Sequence, residues 1–232
     1  MSVFAISDLH LSLTTNKPMD IFGGNWDNYV EKLKTNWQSI VSPDDTVVIP
    51  GDISWAMMLE EAGEDLKFID ELNGKKIIGK GNHDYWWTSI TKMNAFLDKI
   101  GVKTVSFLHN NAFLCEDIII CGSRGWMIDD KEAFDRKIQE REAGRLRLSL
   151  EAAKKLNKND RSEIIVFLHY PPSHKGAVCI PIVGVLKEYG IRQVYYGHLH
   201  GIPKDSVTYM VDDIKTTIIS SDFLKFKPLL VK

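Results

Sequence analysis

The sequence predicts an α/β fold in which two mixed β-sheets pack face to face, with helices on both outer faces. Short apolar runs of strand length alternate along most of the chain with segments of helical periodicity, which is typical of α/β proteins. Two stretches lack helices and instead have the texture of hairpins. A purely parallel sheet would not need such pieces, so they favour mixed sheets.

Six apolar runs, each followed by turn residues, have the length of a buried strand. They are "SVFAIS", "TVVIPGD", "KKIIGKG", "IIICGS", "EIIVFLHY" and "RQVYYGH". Residues 26–40 repeat apolar side chains at helical spacing, as do "MMLEEAGEDLKFIDEL" and "TSITKMNAFLDKI". The hairpin-like stretches are "VSFLHNNAFLCEDIIICG", where "HNN" and "ED" supply turns, and "DSVTYMVDDIKTTIISS".

The chain has 232 residues, a length that favours one domain over residues 1–232. Residues 129–158 form a polar stretch with charges of both signs, which predicts a helical insertion. Two interpretations of this insertion stay open. It is a solvated helix packed through its apolar side chains, or it is a lid broken at Gly144.

Composition excludes several function classes. A net charge of −2 predicts no extended nucleic-acid surface, and no apolar run approaches the roughly 18 residues that span a bilayer. Three irregularly spaced cysteines do not form a disulfide framework, and the first residues lack the pattern of a secretory signal. We therefore expect a cytoplasmic protein without a membrane span.

Polar side chains collect directly after the predicted strands, where the carboxyl ends of an α/β sheet bind ligands. They are Asp8, His10, Asp52, Asn82, His169, His198 and His200. A single histidine at a strand end is more often structural, but chance does not readily produce the whole set. Mixed nitrogen and oxygen ligands suit Mn, Fe, Zn or Ni, and seven ligands exceed what one ion takes. Two ions would each gain four ligands if Asp52 bridges them.

The ordered motifs D-x-H, G-D, G-N-H-D, H and G-H-x-H resemble those of the calcineurin-like metallophosphoesterases, over residues 8 to 200. The resemblance implies a four-layer αββα sandwich. It also implies two divalent transition-metal ions, of which Mn is favoured. One ion would be held by Asp8, His10 and His200 and the other by Asn82, His169 and His198, with Asp52 as the bridge.

Two residues of "GNHD" are predicted to be catalytic. The resemblance implies that His83 protonates the leaving oxygen, and Asp84 is expected to orient its ring through a hydrogen bond. Four further residues near the motifs are candidate substrate contacts, with structural roles as the alternative: Trp55, Trp86, Arg124 and His174.

The predicted function is a phosphohydrolase in which a metal-bridging hydroxide attacks a small-molecule phosphate ester, with a phosphodiester of small or medium size favoured. A phosphomonoesterase acting on a small metabolite is one alternative. A non-catalytic metal-binding scaffold is another, although scaffolds of this fold lose ligands that are all present here.

Overall fold

The computed structural model describes residues 1–127, 136–158 and 161–232 and contains two large sheets. The first sheet consists of β1 (Val3–Ala5), β2 (Thr46–Ile49), β3 (Lys75–Ile78), β4 (Val105–Phe107) and β13 (Leu229–Leu230). The second consists of β5 (Ala112–Cys115), β6 (Ile118–Ser123), β7 (Glu163–Leu168), β10 (Gln193–Tyr196), β11 (Met210–Val211) and β12 (Ile214–Ile218). A small hairpin joins β8 (Ser173–His174) to β9 (Ala177–Val178).

The strand orders are β13-β1-β2-β3-β4 in the first sheet and β11-β12-β10-β7-β6-β5 in the second. Edge strands β13, β11 and β5 pair antiparallel with their neighbours, and the remaining pairs are parallel. Both sheets are therefore mixed, as predicted.

Five α-helices and three short 3₁₀ turns complete the described structure. The helices are α1 (Tyr29–Ile40), α2 (Gly63–Glu71), α3 (Ile90–Ile100), α4 (Arg136–Leu156) and α5 (Ile180–Glu188). The 3₁₀ turns are Met19–Phe22, Gly24–Trp26 and Lys204–Ser206. Among the described helices, none combines the length and the apolar character needed to cross a membrane.

Alternating side chains divide the interior into three apolar layers. In β2, Val47 and Ile49 face the layer that contains residues of α1, α2 and α3, whereas Val48 faces the second sheet. In β7, Val166 packs in the layer that contains residues of α4 and α5, whereas Phe167 points between the sheets. This period of two confirms the four-layer αββα sandwich.

The prediction of hairpin structure over residues 105–123 is only partly correct. β4 pairs parallel with β3 in the first sheet, and only β5 and β6 form an antiparallel hairpin in the second. The "HNN" turn, with Asn110 at a φ of 58°, is therefore the place where the chain passes from one sheet to the other. The helix α5 was not predicted, because its short apolar sequence resembles a strand.

The polar insertion is a packed helix over the residues that the structure describes. α4 continues through Gly144 without a break, so the predicted break there is wrong. Its inner face buries Leu146, Leu150 and Ala153 in the outer layer of the second sheet. The part of the predicted lid at residues 129–135 lies outside the described residues.

Lys76 in β3 is a buried cation, and it gives a prediction about stability and pH. Its ammonium donates to the carbonyls of Leu72 (2.5 Å) and Asp70 (3.2 Å), beside the carboxyl end of α2. Burial lowers the pKa of Lys76 from 10.5 to about 8. Between these values the unfolded chain binds more protons, so the contribution of Lys76 to folding stability rises with pH.

We expect the free energy of unfolding to depend less on pH between about 8 and 10 in Lys76→Met than in the wild type. Urea denaturation across this range measures it, with the exposed neighbour Lys75→Met as the matched control. Parallel pH profiles for the wild type and Lys76→Met would contradict the assignment.

Candidate metal centre

The carboxyl ends of β1, β2, β3, β7 and β10 converge at one rim, where hydrogen bonds join the two sheets. The N–H of Ser7, after β1, donates to the carbonyl of Ile219, after β12 (2.8 Å), and the N–H of Ser221 donates to the carbonyl of Ser7 (2.9 Å). The predicted ligands all lie on the loops that leave these strand ends. The structure therefore brings the predicted polar side chains to a single rim.

Four of the predicted ligands adopt a left-handed backbone conformation, which is rare for residues other than glycine. The φ angles are 62° for Asp8, 47° for His10, 52° for Asp52 and 71° for His198. Such conformations cluster at functional sites, where surrounding contacts hold them in place.

Two glycines let the loops approach the carboxylates closely. A Cβ atom at Gly81 would overlap the carboxylate of Asp52, and one at Gly197 would overlap Asp8 and Ser7. The glycine of "GNHD" and that of "GHLH" are therefore required by packing.

One group of ligand atoms is formed by Asp8, His10 and His200. The Nε2 atoms of the two histidines lie 3.2 Å apart, and His200 Nε2 is 3.6 Å from Asp8 Oδ1. Ligand atoms around one tetrahedral ion lie about 3 to 3.5 Å apart, since each is roughly 2 Å from the metal. The spacing of this group thus fits one divalent ion.

A second group lies beside the first and contains Asp8, Asp52 and His169. Asp52 Oδ2 is 3.6 Å from His169 Nε2 and also 3.6 Å from His10 Nε2, so this oxygen lies between the two groups. Asn82 Oδ1 approaches His169 Nε2 (2.7 Å) and His198 Nδ1 (2.9 Å). The geometry supports two neighbouring cation positions.

The charges of the site favour cations. Burial lowers the pKa of His10 to about 3 and that of His198 to about 4, so both rings are neutral and offer lone pairs at neutral pH. Burial, followed by the charges of Asp8 and Asp84, raises the pKa of Asp52 well above its usual value. Neutral imidazoles beside mutually repelling carboxylates are a donor set suited to divalent metal ions.

Asp84 has a different role from the one predicted. Its carboxylate accepts hydrogen bonds from the N–H groups of Gly81 (2.7 Å), Asp52 (2.9 Å) and Ile53 (2.9 Å), and from the indole of Trp86 (3.1 Å). The described structure contains no hydrogen bond between Asp84 and His83, so the expectation that Asp84 orients that ring is wrong. Asp84 instead connects the loop after β2 to the loop after β3 through these hydrogen bonds.

His83 lies at the mouth of the site. Its ring is 4.4 Å from that of Trp55, and its backbone N–H donates to Asp52 Oδ1 (2.8 Å). Its Nδ1 is buried without a hydrogen-bond partner in the described residues, and burial lowers its pKa. His83 also lines the cavity beside the ligands, so its ring is available to a substrate bound there.

Asp222 is a residue that the sequence analysis missed. One oxygen of Asp222 accepts a hydrogen bond from His200 Nδ1 (2.9 Å), and the other accepts the N–H of Gly201 (2.8 Å). In the neutral ring that a metal would bind, this bond would keep the proton on Nδ1 and leave Nε2 directed at the site. Burial alone would lower the pKa of His200, but Asp222 and Asp8 raise it to about 10. Its position just beyond β12 was the signal that could have identified it.

A cavity of about 470 Å³ opens beside His10, His83 and His200. Its other walls are mainly apolar and include Met19, Phe22, Trp26 and Trp55. Trp55 stacks on His10 with ring centroids 4.9 Å apart, which places this candidate substrate contact at the site. Trp86 is wrong as a candidate contact, because its indole is buried in the core beneath Asp84.

The other two candidate substrate contacts, Arg124 and His174, do not line this cavity. Arg124 Nη2 is 3.3 Å from Glu142 Oε1, and the Arg124 guanidinium lies 5.1 Å from the ring of Trp126. His174 lies in β8, and its charge is a smaller cause, after burial, of the lowered pKa of His198. Neither residue forms part of the two groups of ligand atoms.

We expect Asp222→Asn to weaken metal binding by about 10- to 100-fold, because an amide holds the His200 ring less firmly than a carboxylate. Isothermal titration of the metal-free protein with Zn²⁺ measures this change. Asp205→Asn, which alters an exposed carboxylate, is the matched control and should leave the affinity unchanged. Equal affinities for all three proteins would refute the role of Asp222.

Comparisons with known proteins agree with this geometry. The sequence profile of the calcineurin-like phosphoesterases matches residues 1–201. No curated protein matches the chain significantly. Among solved structures, phosphopantetheinyl hydrolase from Mycobacterium tuberculosis is 16% identical, with 99% of this chain and 95% of that chain covered and a TM-score of 0.52. The protein TT1561 of Thermus thermophilus is 14% identical, with coverages of 98% and 96% and a TM-score of 0.54.

These two structures share the fold with this chain. The family match is broader evidence, because it covers most of the sequence and every predicted ligand. The chain belongs to the calcineurin-like phosphoesterases, which are metal-dependent hydrolases of phosphoric esters.

Proposed function

We propose that this protein is a dinuclear metal-dependent phosphohydrolase that cleaves a phosphodiester of small or medium size. The observation that carries the proposal is the pair of adjacent ligand groups with Asp52 Oδ2 equidistant, at 3.6 Å, from His10 and His169. A bound pair of divalent ions would supply a nucleophilic hydroxide near neutral pH and neutralise charge on the phosphoryl oxygens.

The cavity beside the site favours a diester over a monoester. None of its eleven described lining residues is a lysine or an arginine, and the Lys17 ammonium nearby lies over the ring of Trp55, 5.2 Å from its centroid. A phosphomonoester carries a second negative charge that a lysine or an arginine would neutralise well, whereas a diester carries only one. The apolar walls instead suit a flat or apolar substituent on the phosphate. A monoester of a small metabolite is the second possibility, and the assay below separates the two.

The residues of the chain itself would have three roles in this reaction. Asp8, His10 and His200 would hold one ion, Asn82, His169 and His198 would hold the other, and Asp52 would touch both. Trp55 would pack against the substituent on the phosphate. His83 would donate a proton to the leaving oxygen, since its unpaired ring lines the same cavity.

Four histidine ligands disfavour Mg²⁺ and Ca²⁺ and leave Mn, Fe, Zn or Ni, among which we propose manganese. We also propose a cytoplasmic location. Cys115, Cys121 and Cys179 are all free thiols, which is the usual state of cysteines in a reducing compartment.

The first experiment compares bis-p-nitrophenyl phosphate with p-nitrophenyl phosphate in the Mn²⁺-loaded protein. We expect about two metal equivalents, faster turnover of the diester and loss of this turnover on chelation. Asp52→Asn should lower kcat at least about 100-fold, and the exposed Asp44→Asn is the control. Preference for p-nitrophenyl phosphate would favour the monoester, and full metal loading with no turnover of either ester would contradict the proposal for both.

His83→Ala tests the proton donor separately. We expect kcat to fall by about 10²- to 10⁴-fold with a poor alkyl leaving group but little with p-nitrophenolate, which leaves without a proton. Metal content measured on the same samples should be unchanged. Full activity with the alkyl ester would show that His83 is not the acid.

A further inference from the structure

A second cavity, of about 260 Å³, lies on the opposite side of the rim from the apolar one. Residues that follow β3, β4 and β6 line it together with residues of α4, whereas most residues of the apolar cavity follow β1, β2 and β12, and the rest follow β3 and β10. Its walls carry four basic side chains and one carboxylate: Lys80, His109, Arg124, Arg145 and Glu142. We refer to it as the basic cavity.

The basic cavity shares two loops with the metal centre. The carbonyl of Arg124 accepts hydrogen bonds from the N–H groups of His169 (3.1 Å) and Tyr170 (2.9 Å). Lys80 precedes Asn82 by two residues in the loop after β3. A substrate bound at the metal centre could therefore extend one group into the apolar cavity and another into the basic one.

The positive charge of the basic cavity exceeds its negative charge. Arg124 Nη2 (3.3 Å) and Arg145 Nη1 (2.8 Å) both contact Oε1 of the buried Glu142. This single carboxylate therefore faces two guanidinium groups within the cavity. Lys80 makes no ion pair with any other described residue. Three permanent cations thus line the cavity against one anion.

A buried donor in this cavity lacks a partner. Arg124 Nε is shielded from solvent and makes no hydrogen bond within the described residues, and the same holds for the acceptor Oε2 of Glu142, whose Oε1 contacts the guanidinium groups. An unsatisfied buried N–H of a charged group is costly, which indicates that an external acceptor completes the site.

We propose that the basic cavity binds a second anionic group, of the phosphate class, which the substrate carries in addition to the scissile phosphate. This proposal rests on the proposed function for its link to a substrate. The anion itself would be recognised by the guanidinium groups of Arg124 and Arg145 and by the ammonium of Lys80, which are typical phosphate ligands.

Sulfate provides a probe for the basic cavity that needs no catalysis. In the Zn²⁺-loaded protein, indole N–H signals in ¹H–¹⁵N spectra report on both cavities, because Trp87 lines the basic one and Trp26 and Trp55 line the apolar one. We expect sulfate to shift Trp87 and, through Arg124, Trp126 at lower concentrations than it shifts Trp26 and Trp55. No shift of Trp87, or a stronger shift of Trp55, would overturn the proposal.

Arg145→Met should raise the dissociation constant for sulfate about ten-fold. A change of this size corresponds to the loss of roughly one charge-assisted hydrogen bond. Arg147→Met is the matched control, since Arg147 lies on the same helix but pairs with Glu188 outside the cavity. If Arg145→Met fails to fold, as judged by its circular dichroism spectrum, Lys80→Met replaces it with the same expectation. Unchanged affinity in the folded variant would contradict the assignment.

A matched pair of substrates tests whether the anion is carried by the substrate. The p-nitrophenyl ester of thymidine 5′-phosphate can be compared with the same ester carrying an added 3′-phosphate. We expect the added phosphate to raise kcat/KM about ten-fold in the wild type and in Arg147→Met but not in Arg145→Met. All three proteins should hydrolyse bis-p-nitrophenyl phosphate at the same rate.

The two measurements separate the proposals. Sulfate binding at Trp87 without a gain from the added phosphate would show that the cavity takes a free anion, and would overturn the substrate-borne role. Sulfate binding at Trp87 in a protein that hydrolyses no ester would refute the proposed function while leaving the anion site in place.

Discussion

The buried carboxylate of Asp84 is the interaction on which the metal centre depends. It accepts N–H groups from Gly81, Asp52 and Ile53, and so joins the loops after β2 and β3. Hydrogen bonds to a charged group contribute about 1.5 to 3 kcal/mol each, which offsets part of the cost of burying a carboxylate that makes no ion pair with a described residue, although burial still raises the pKa of Asp84. Because both loops are held by the same group, the side chains of Asp52 and Asn82 keep a fixed relative position.

The period of the strands explains why the ligands can be so close together. Each inner strand places alternate side chains in two apolar layers, so the sheets pack face to face and their carboxyl ends meet. The left-handed turns at Asp8, His10 and Asp52 would be unstable alone. They persist because their N–H groups are paired across the rim: that of Asp8 donates to Gly51 and that of His10 to Asp52.

Sequence patterns predicted the architecture and the ligand segments, because both follow from periodicity and from polar residues after strands. They failed where long-range packing decides. The sheet to which β4 belongs depends on a pairing with β3 that no local pattern encodes. Asp222 lies in "SSDF", and only the three-dimensional structure shows that it meets His200, 22 residues away. Trp86 resembled a substrate contact because sequence cannot distinguish a core aromatic from an exposed one.

The metal centre also bears on stability. Asp8 and Asp52 are fully buried and contact histidines but no lysine or arginine within the described chain. Such carboxylates repel each other, and in the metal-free chain the charge of His200 beside Asp8 offsets only part of this cost. An ion that binds only the folded chain adds its binding free energy to folding stability. The strained turns and the crowded carboxylates are therefore best understood as features of a protein whose stable form includes its metals.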